Sequence, residues 1–448
     1  MISTWRRRMA ARRARKLKLR SGEEAYDEVE LTIPSEFKCP ISLDLMKDPV
    51  TLSSGITYDR ESIETWIEAG NRTCPITNRP LGSLEPVPNH MIRRVIQDWC
   101  VENRSHGIER IPTPRIPVSS MEVAEMLDKV SDACKTKDQS VCRKLVVKMK
   151  ALSKESERNK KCFKSNGTGS VLAAAFEAFS KTSSLDEEND AILKEILSAL
   201  TMMLPLSVEA TSCLGSSSSL HCMVGFLTSG NLSSRWNSAF ALREIVSSDK
   251  RKVEALAEIE GASESLFKLI KEPICPVATK SSLICIYHMV TSSHPAKHLV
   301  ISRFVQMGLV SLLVETLVDA DRSMSEKALG VLDGICDNEE GKEAVRDNSL
   351  AVPVLVKKLL RVSELATEFS VSVLWQLMAI SESGEDGGRV LAEALQVGAF
   401  QKLLLLLQVG CGERTKEKAT QVVKLLNLHR ERLECIDSLD FKDLKRPF

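Results

Sequence analysis

Cys39 and Cys74, each at the head of a would-be Cys-x-x-Cys spacing, are the residues whose type and position first suggest chemistry. A pair of zinc ions bracing two loops would need eight Cys or His ligands, four for each tetrahedral ion. Here the two spacings are Cys39…Ser42 and Cys74…Thr77, with no Cys or His between Cys39 and Cys74. Zinc has nothing to hold it, so hydrogen bonds and ion pairs must tie the loops instead. A thioester-forming nucleophile is the other chemistry a cysteine offers. It needs a nearby base or a helix N-terminus to lower its pKa. Neither cysteine has a His close in sequence and both precede Pro, which favours a structural role. Elsewhere no Gly-rich phosphate loop, Ser-His-Asp set or paired-carboxylate site stands out. His288, His294 and His298 cluster without Cys or carboxylate at metal spacing, so they are assigned to the surface.

The elements that must position the two loops are short. Pro34 and Pro40 argue against helix around the first loop, and Asp48-Pro49 turns the chain into a strand at Val50–Leu52. Ser53-Ser54-Gly55 marks a hairpin turn, with the returning strand at Ile56–Tyr58. Asp59 is a natural N-cap for a helix over Arg60–Glu68, with Ile63, Trp66 and Ile67 on one face, and Gly70-Asn71 ends it. The second loop follows at Cys74–Pro80. A closing helix spans Asn89–Val101 with Ile92, Val95, Ile96 and Trp99 along one side.

Taken together, "CPISLDLMKDPVTLSSGITYDRESIETWIEAGNRTCPIT" resembles the U-box in its plant wording, over roughly residues 33–105. The U-box is the zinc-free relative of the RING. The resemblance implies a shallow apolar groove formed by Ile41 and Leu43 on the first loop, Pro75 on the second and Trp66 on the helix. That groove would dock a ubiquitin-conjugating enzyme. Apolar residues beside prolines at loop tips are poorly placed for burial, which assigns Ile41 and Pro75 to the groove. Leu43 and Trp66 fit either core or groove. Many relatives carry an Arg just after the second loop that clamps the ubiquitin-loaded enzyme. Asn78 stands at that position with Arg79 beside it. An uncharged amide still donates hydrogen bonds, so the clamp is weaker or falls to Arg79.

The rest of the chain changes character. At 448 residues it has room for two or three domains, and its net charge of +1 gives no bias toward nucleic acid or membrane. Aromatics are few, at 4%, and the 13 cysteines show no pairing pattern. With no apolar signal segment and no apolar run long enough to span a bilayer, a reducing compartment is expected, cytoplasmic with access to the nucleus. Residues 1–20 hold nine basic and no acidic side chains. They suit a solvated arm, a nuclear-import tag or a segment for anionic surfaces. Three prolines within six residues, between Pro112 and Pro117, mark an extended spacer.

From about Met121 helix follows helix. A small residue opens an apolar helix at Gly167, near Ser217, and at Gly261, Gly308, Leu350 and Gly398, in steps of about 42 to 50 residues. That is the period of armadillo or HEAT units, which stack because one unit cannot bury its apolar face alone. Ala239-x-x-Leu242, Ala328-x-x-Val331 and Ala419-x-x-Val422 form a second landmark, where Ala lets helices cross closely. The run Leu403–Leu407 is expected to be a core helix. Trp236 and Trp375 are isolated, so no ladder of Trp and Asn marks an import-type groove.

The expected architecture is mainly α: a basic arm (1–32), a small α+β zinc-free U-box (33–105), a Pro-rich linker (106–120), a right-handed armadillo-type α-solenoid (121–435) and a tail (436–448). It resembles the plant U-box, armadillo-repeat ubiquitin ligases, nearest the defence-linked subset. That resemblance implies ubiquitin transfer without a covalent intermediate. It needs no cofactor and no metal. The implied partners are a conjugating enzyme, ubiquitin, a protein substrate on the repeats and a second U-box in a dimer, with no nucleic acid. A non-enzymatic armadillo adaptor with a degenerate U-box is the alternative, with an import-type carrier a weaker third reading.

Overall fold

A computed structural model describes residues 33–106, 108, 109, 111, 117–182, 187–293, 295, 297–379 and 385–440. The basic arm, linker residues 112–116 and tail residues 441–448 lie outside the described residues. Two compact units divide the chain, 1–116 and 117–448.

The first unit is built on a hairpin. β1 (Pro49–Thr51) and β2 (Thr57–Asp59) run antiparallel with Val50 opposite Tyr58. Both strands lie one residue away from their expected spans, because Leu52 belongs to the turn: Gly55, at φ 78°, donates its N–H to the Leu52 carbonyl at 2.9 Å. β3 (Val87–Pro88) adds to the far side of β1, giving the order β2-β1-β3. Its two residues are exposed and end in proline, so no alternation announces it in the sequence. The 3-10 turn Ser35–Phe37 forms despite the neighbouring prolines. Pro34 sits just before it, where a missing N–H is harmless, and its carbonyl accepts from Phe37 N at 3.1 Å.

Two helices complete the unit, α1 (Arg60–Glu68) and α2 (His90–Glu102). Asp59 precedes α1 but does not cap it with its side chain. Its Oδ1 accepts instead from the backbone N–H groups of Lys47 and Asp48, at 2.8 and 2.9 Å. Asn89 does cap α2, its Oδ1 accepting from Ile92 N at 3.1 Å. Its Nδ2 reaches the hydroxyls of Thr51 and Thr57, both at 3.2 Å, so one amide clamps the hairpin to the helix. The α2 face differs from expectation at Val95, which is 46% exposed. Ile96 and Cys100 centre the buried stripe, and Val95 lies roughly 100° round the helix from Ile96. Cys39, Met46, Val50, Leu52, Tyr58, Ile63, Cys74 and Ile96 make the core.

Among its described residues, the regular elements of the second unit are all helices. Long helices at Gln139–Glu155, Glu187–Met202, Leu232–Ser248, Pro276–Thr291, Arg322–Ile335, Glu364–Met378 and Glu413–Asp440 start 42 to 49 residues apart, each packed on the next. The other helices pack against these, and a single apolar core runs from Val123 to Leu426. The last long helix continues to Asp440, so residues 436–440 of the expected tail are helical.

Both sequence landmarks have physical causes. Gly167, Gly261, Gly308 and Gly398 take φ values of 74°, 81°, 81° and 80°, joining two helices through one left-handed residue that glycine adopts without strain. Leu350 keeps an ordinary φ of −92°, because its link from the preceding helix is longer. Ala239, Ala328 and Ala419 are fully buried on the long helices. At Gly334 the packing is closer still: a Cβ there would lie 2.6 Å from Val290 Cγ2. Leu403 and Leu406 are buried, but Leu404 and Leu405 are 39% and 49% exposed. The leucine run therefore lends one side to the core, as a helical period requires. No single described helix is long and apolar enough to cross a membrane.

Candidate docking site on the two loops

Each loop closes on its own root. In loop 1 the Cys39 N–H donates to the Asp44 carbonyl and the Leu43 N–H to the Cys39 carbonyl, both at 2.8 Å. Loop 2 repeats the pattern, Cys74 N–H to the Arg79 carbonyl at 2.9 Å and Asn78 N–H to the Cys74 carbonyl at 2.8 Å. A backbone bridge seals each loop, Lys38 with Leu45 and Thr73 with Pro80. The fifth residue of each is left-handed, Leu43 at φ 63° and Asn78 at φ 55°. Cys39–Leu45 and Cys74–Pro80 thus share one frame, position by position.

The cysteines anchor these frames to neighbouring residues of β2. Asp59 N–H donates to Cys39 Sγ at 3.3 Å, and the Tyr58 hydroxyl lies 3.1 Å from Cys74 Sγ. Burial pushes the Cys74 thiol up, but hydrogen bonds from Ser54, Thr77 and Tyr58 outweigh that and bring it down to about 6. Burial first, and then Cys74 itself, hold the Tyr58 hydroxyl far above its ordinary range. An acidic thiol is what a nucleophile wants, yet Cys74 and Cys39 have no accessible surface and cannot meet a thioester.

A half-buried ion-pair hub ties the start of β1 to the two helices. Asp48 accepts from Arg60 Nε at 2.7 Å and from Arg93 Nη2, joining the start of α1 to α2. These side chains are 12–22% exposed, so water screens the pairs weakly. Trp66 ties α1 to loop 2, its Nε1 donating to the Thr73 carbonyl at 2.9 Å.

The six residues singled out in the sequence fall into distinct settings. Leu43 is 69% exposed at the tip of loop 1, and a strained, solvent-facing leucine has no structural reason to be there. Ile41 and Trp66 are half-buried, each with part of its side chain against the core. Pro75 is half-buried, whereas Asn78 and Arg79 are exposed. Asparagine tolerates the left-handed φ at position 78 better than arginine does, and that conformation accounts for its presence. The sequence reading passed over Ile76, the loop 2 counterpart of Ile41, which is 53% exposed. The signal was available, since Cys-Pro-Ile-Ser and Cys-Pro-Ile-Thr repeat each other. Among the described residues no group of His, Cys, Asp and Glu could hold a metal ion.

Stretches from each of the two units resemble known proteins. Residues 33–105 match the U-box domain, and residues 122–446 match the plant U-box protein ARM repeat region. U-box domain-containing protein 21 of Arabidopsis thaliana is 48% identical over 96% of this chain and 96% of its own length. E3 ubiquitin-protein ligase PUB23, also from Arabidopsis thaliana, is 32% identical over 88% of this chain and 93% of its own. Among solved structures, a designed armadillo repeat protein aligns with a TM-score of 0.45 at 18% identity, covering 57% of this chain and 99% of that one.

Proposed function

The chain belongs to the plant U-box proteins with an armadillo repeat region, and from that premise we propose that loops 1 and 2 with α1 dock a ubiquitin-charged conjugating enzyme while the helical repeats hold a protein substrate. It is a ubiquitin transferase of the U-box kind, as relatives named E3 ubiquitin-protein ligases indicate. The reaction is acyl transfer. A substrate lysine amine attacks the thioester on the conjugating enzyme, an isopeptide bond forms and the enzyme's cysteine leaves as thiol. With Cys39 and Cys74 buried, neither loop root can carry ubiquitin as a covalent intermediate. The chain's part is proximity and orientation, which can supply several kcal/mol of the barrier.

The observation that carries the docking proposal is Leu43, apolar, left-handed and exposed on a frame that holds it out. Ile76, Pro75, Ile41 and Trp66 would extend the same apolar surface, and Arg79 would supply the charge that Asn78 lacks. Action in defence or stress signalling, in the cytoplasm with access to the nucleus, belongs to the same proposal. It is supported by the resemblance of residues 33–105 and the nine basic residues of the arm. Reconstitution of the full chain with ubiquitin, activating enzyme and a panel of conjugating enzymes tests the reading. Ubiquitin chains with at least one panel member are expected; none with any member would favour the adaptor alternative. Imaging of the protein with and without residues 1–20 tests the location.

A further inference from the structure

Helices Ser120–Thr136 and Gln139–Glu155 open the second unit as a hairpin, joined by Lys137 and Asp138 alone. Lys137 takes a left-handed φ of 56°, and the Asp138 N–H donates to the Ala133 carbonyl at 2.9 Å. Asp138 then caps the second helix, its Oδ1 accepting from the Val141 N–H at 2.9 Å. These bonds fix the last turn of one helix against the first turn of the next. Cys134 lies in the former turn and Cys142 in the latter, and their thiols share a hydrogen bond.

The two sulfurs differ in setting. Cys142 has no accessible surface, whereas Cys134 is half-buried and followed by the exposed residues 135–138. A small solute therefore meets Cys134 first. The shared bond also divides the pair. With Cys142 as donor it holds the Cys134 thiol below its ordinary range, against the pull of burial, while the same bond and then burial hold Cys142 above its own. The more acidic thiol is the readier nucleophile, and the other stands behind it as a thiol. Other half-buried cysteines are differently placed. Cys162 meets the Ser120 hydroxyl at 3.8 Å, and Cys275 Sγ accepts from the Ala278 N–H at 3.4 Å. Neither contact offers a second sulfur.

We propose that Cys134 and Cys142 are an oxidative modification site, where hydrogen peroxide converts the two thiols into a disulfide bracing the first helical hairpin of the repeats. The Cys134 thiolate attacks a peroxide oxygen, so an S–O bond forms and the O–O bond breaks. The departing hydroxide takes a proton and becomes water. The Cys142 sulfur then attacks the sulfenic acid sulfur. An S–S bond forms, the S–O bond breaks, and the hydroxyl leaves as water with the Cys142 proton. Two thiols lose two electrons and one peroxide becomes two waters. Side-chain rotation closes the contact, because the turn already holds the two backbones together. A dithiol reductant reopens the bond. Nothing in this chemistry depends on the docking or transfer proposed above.

The full chain, reduced, is treated with a few equivalents of hydrogen peroxide, its remaining thiols are blocked with N-ethylmaleimide, and it is digested with trypsin. Cleavage after Lys129, Lys135, Lys137 and Arg143 leaves the two cysteines on separate peptides, 130–135 and 138–143. Those peptides should be recovered joined, and dithiothreitol should part them. The free Cys134 thiol should disappear about tenfold faster than that of Cys162 or Cys275. In Cys142→Ala the reaction should stop at a sulfenic acid on Cys134, which dimedone labels. In Cys134→Ala no dimedone should appear on Cys142. The oxidised wild-type chain should melt several degrees above the reduced one, a gain that both variants lack. Peptides recovered unjoined after peroxide, pairing of either cysteine with a different one, or dimedone on Cys142 in Cys134→Ala would each overturn the proposal. The linkage map needs only the wild-type chain, so it decides even where a variant fails to fold.

Discussion

Replacing Leu43 by glycine should move stability and activity in opposite directions. At φ 63° a leucine carries the penalty of the left-handed region, about 1–2 kcal/mol, which glycine does not. Glycine's greater freedom in the unfolded chain takes back about 0.5–1 kcal/mol. The net expectation is a variant as stable as wild type, or more stable by up to about 1 kcal/mol. Docking should suffer. The side chain is 69% exposed, and its four carbons are worth about 0.8 kcal/mol each when buried, which gives about 2 kcal/mol after scaling by exposure. That is a loss of about thirtyfold in affinity for the conjugating enzyme. Thermal unfolding of the full chain and the initial rate of chain formation would be measured on one preparation. Wild-type rates in Leu43→Gly would remove Leu43 from the docking surface. A melting temperature several degrees lower would refute the conformational argument. Ile41→Ala makes the contrast: that side chain is partly packed against the core, so it should lose stability and activity together.

Three further outcomes follow from the packing and charges. Asp48→Ala leaves Arg93 without this partner and Arg60 with Glu64 alone, in a half-buried site, and should cost about 2–3 kcal/mol, read by chemical denaturation. Gly225→Ala meets nothing within 4 Å and should stabilise its helix by about 0.5–1 kcal/mol, whereas Gly334→Ala drives a methyl against Val290 Cγ2 at 2.6 Å and should lower the melting temperature. Asp333→Asn concerns pH. The carboxyl rises from 3.8 to about 6 on folding, so the folded chain binds more protons between those values, and stability falls as pH rises through that window. The penalty is absent below about pH 4 and complete above about pH 6, so Asp333→Asn should gain up to about 3 kcal/mol at neutral pH and flatten the profile. Melts across pH 4–8 check both the sign and the window.

The sequence disclosed most where local chemistry and global fold coincide. The helix Arg60–Glu68 emerges with its expected bounds because its apolar period and its Gly70 stop signal agree. The repeat spacing was visible because glycine at a left-handed helix junction has few substitutes. What stayed hidden depends on partners far along the chain. Asp59 looked like a cap, but its carboxylate serves backbone groups 11 and 12 residues earlier. The Asp48 hub joins residues 45 positions apart, and nothing near Arg93 announces it. Val95 went astray because a four-residue apolar pattern fits two stripes of a helix and packing chooses between them. A recess around Asp333 gathers side chains from four helices, a juxtaposition that no local window contains.

The shared frame of the two loops separates architecture from vocabulary. Backbone bonds, bridges and buried sulfurs are spent on holding the shape, and the outward side chains take no part in those bonds. Corresponding positions already hold different words: Leu43 answers to Asn78, and Asp44 to Arg79. One loop tip can therefore be rewritten at a time without renegotiating how the domain folds, and on the proposed docking each change would alter the pairing with a conjugating enzyme. A lineage with many such proteins could diversify its pairings by substitution at a few outward residues, each tried against an unchanged scaffold.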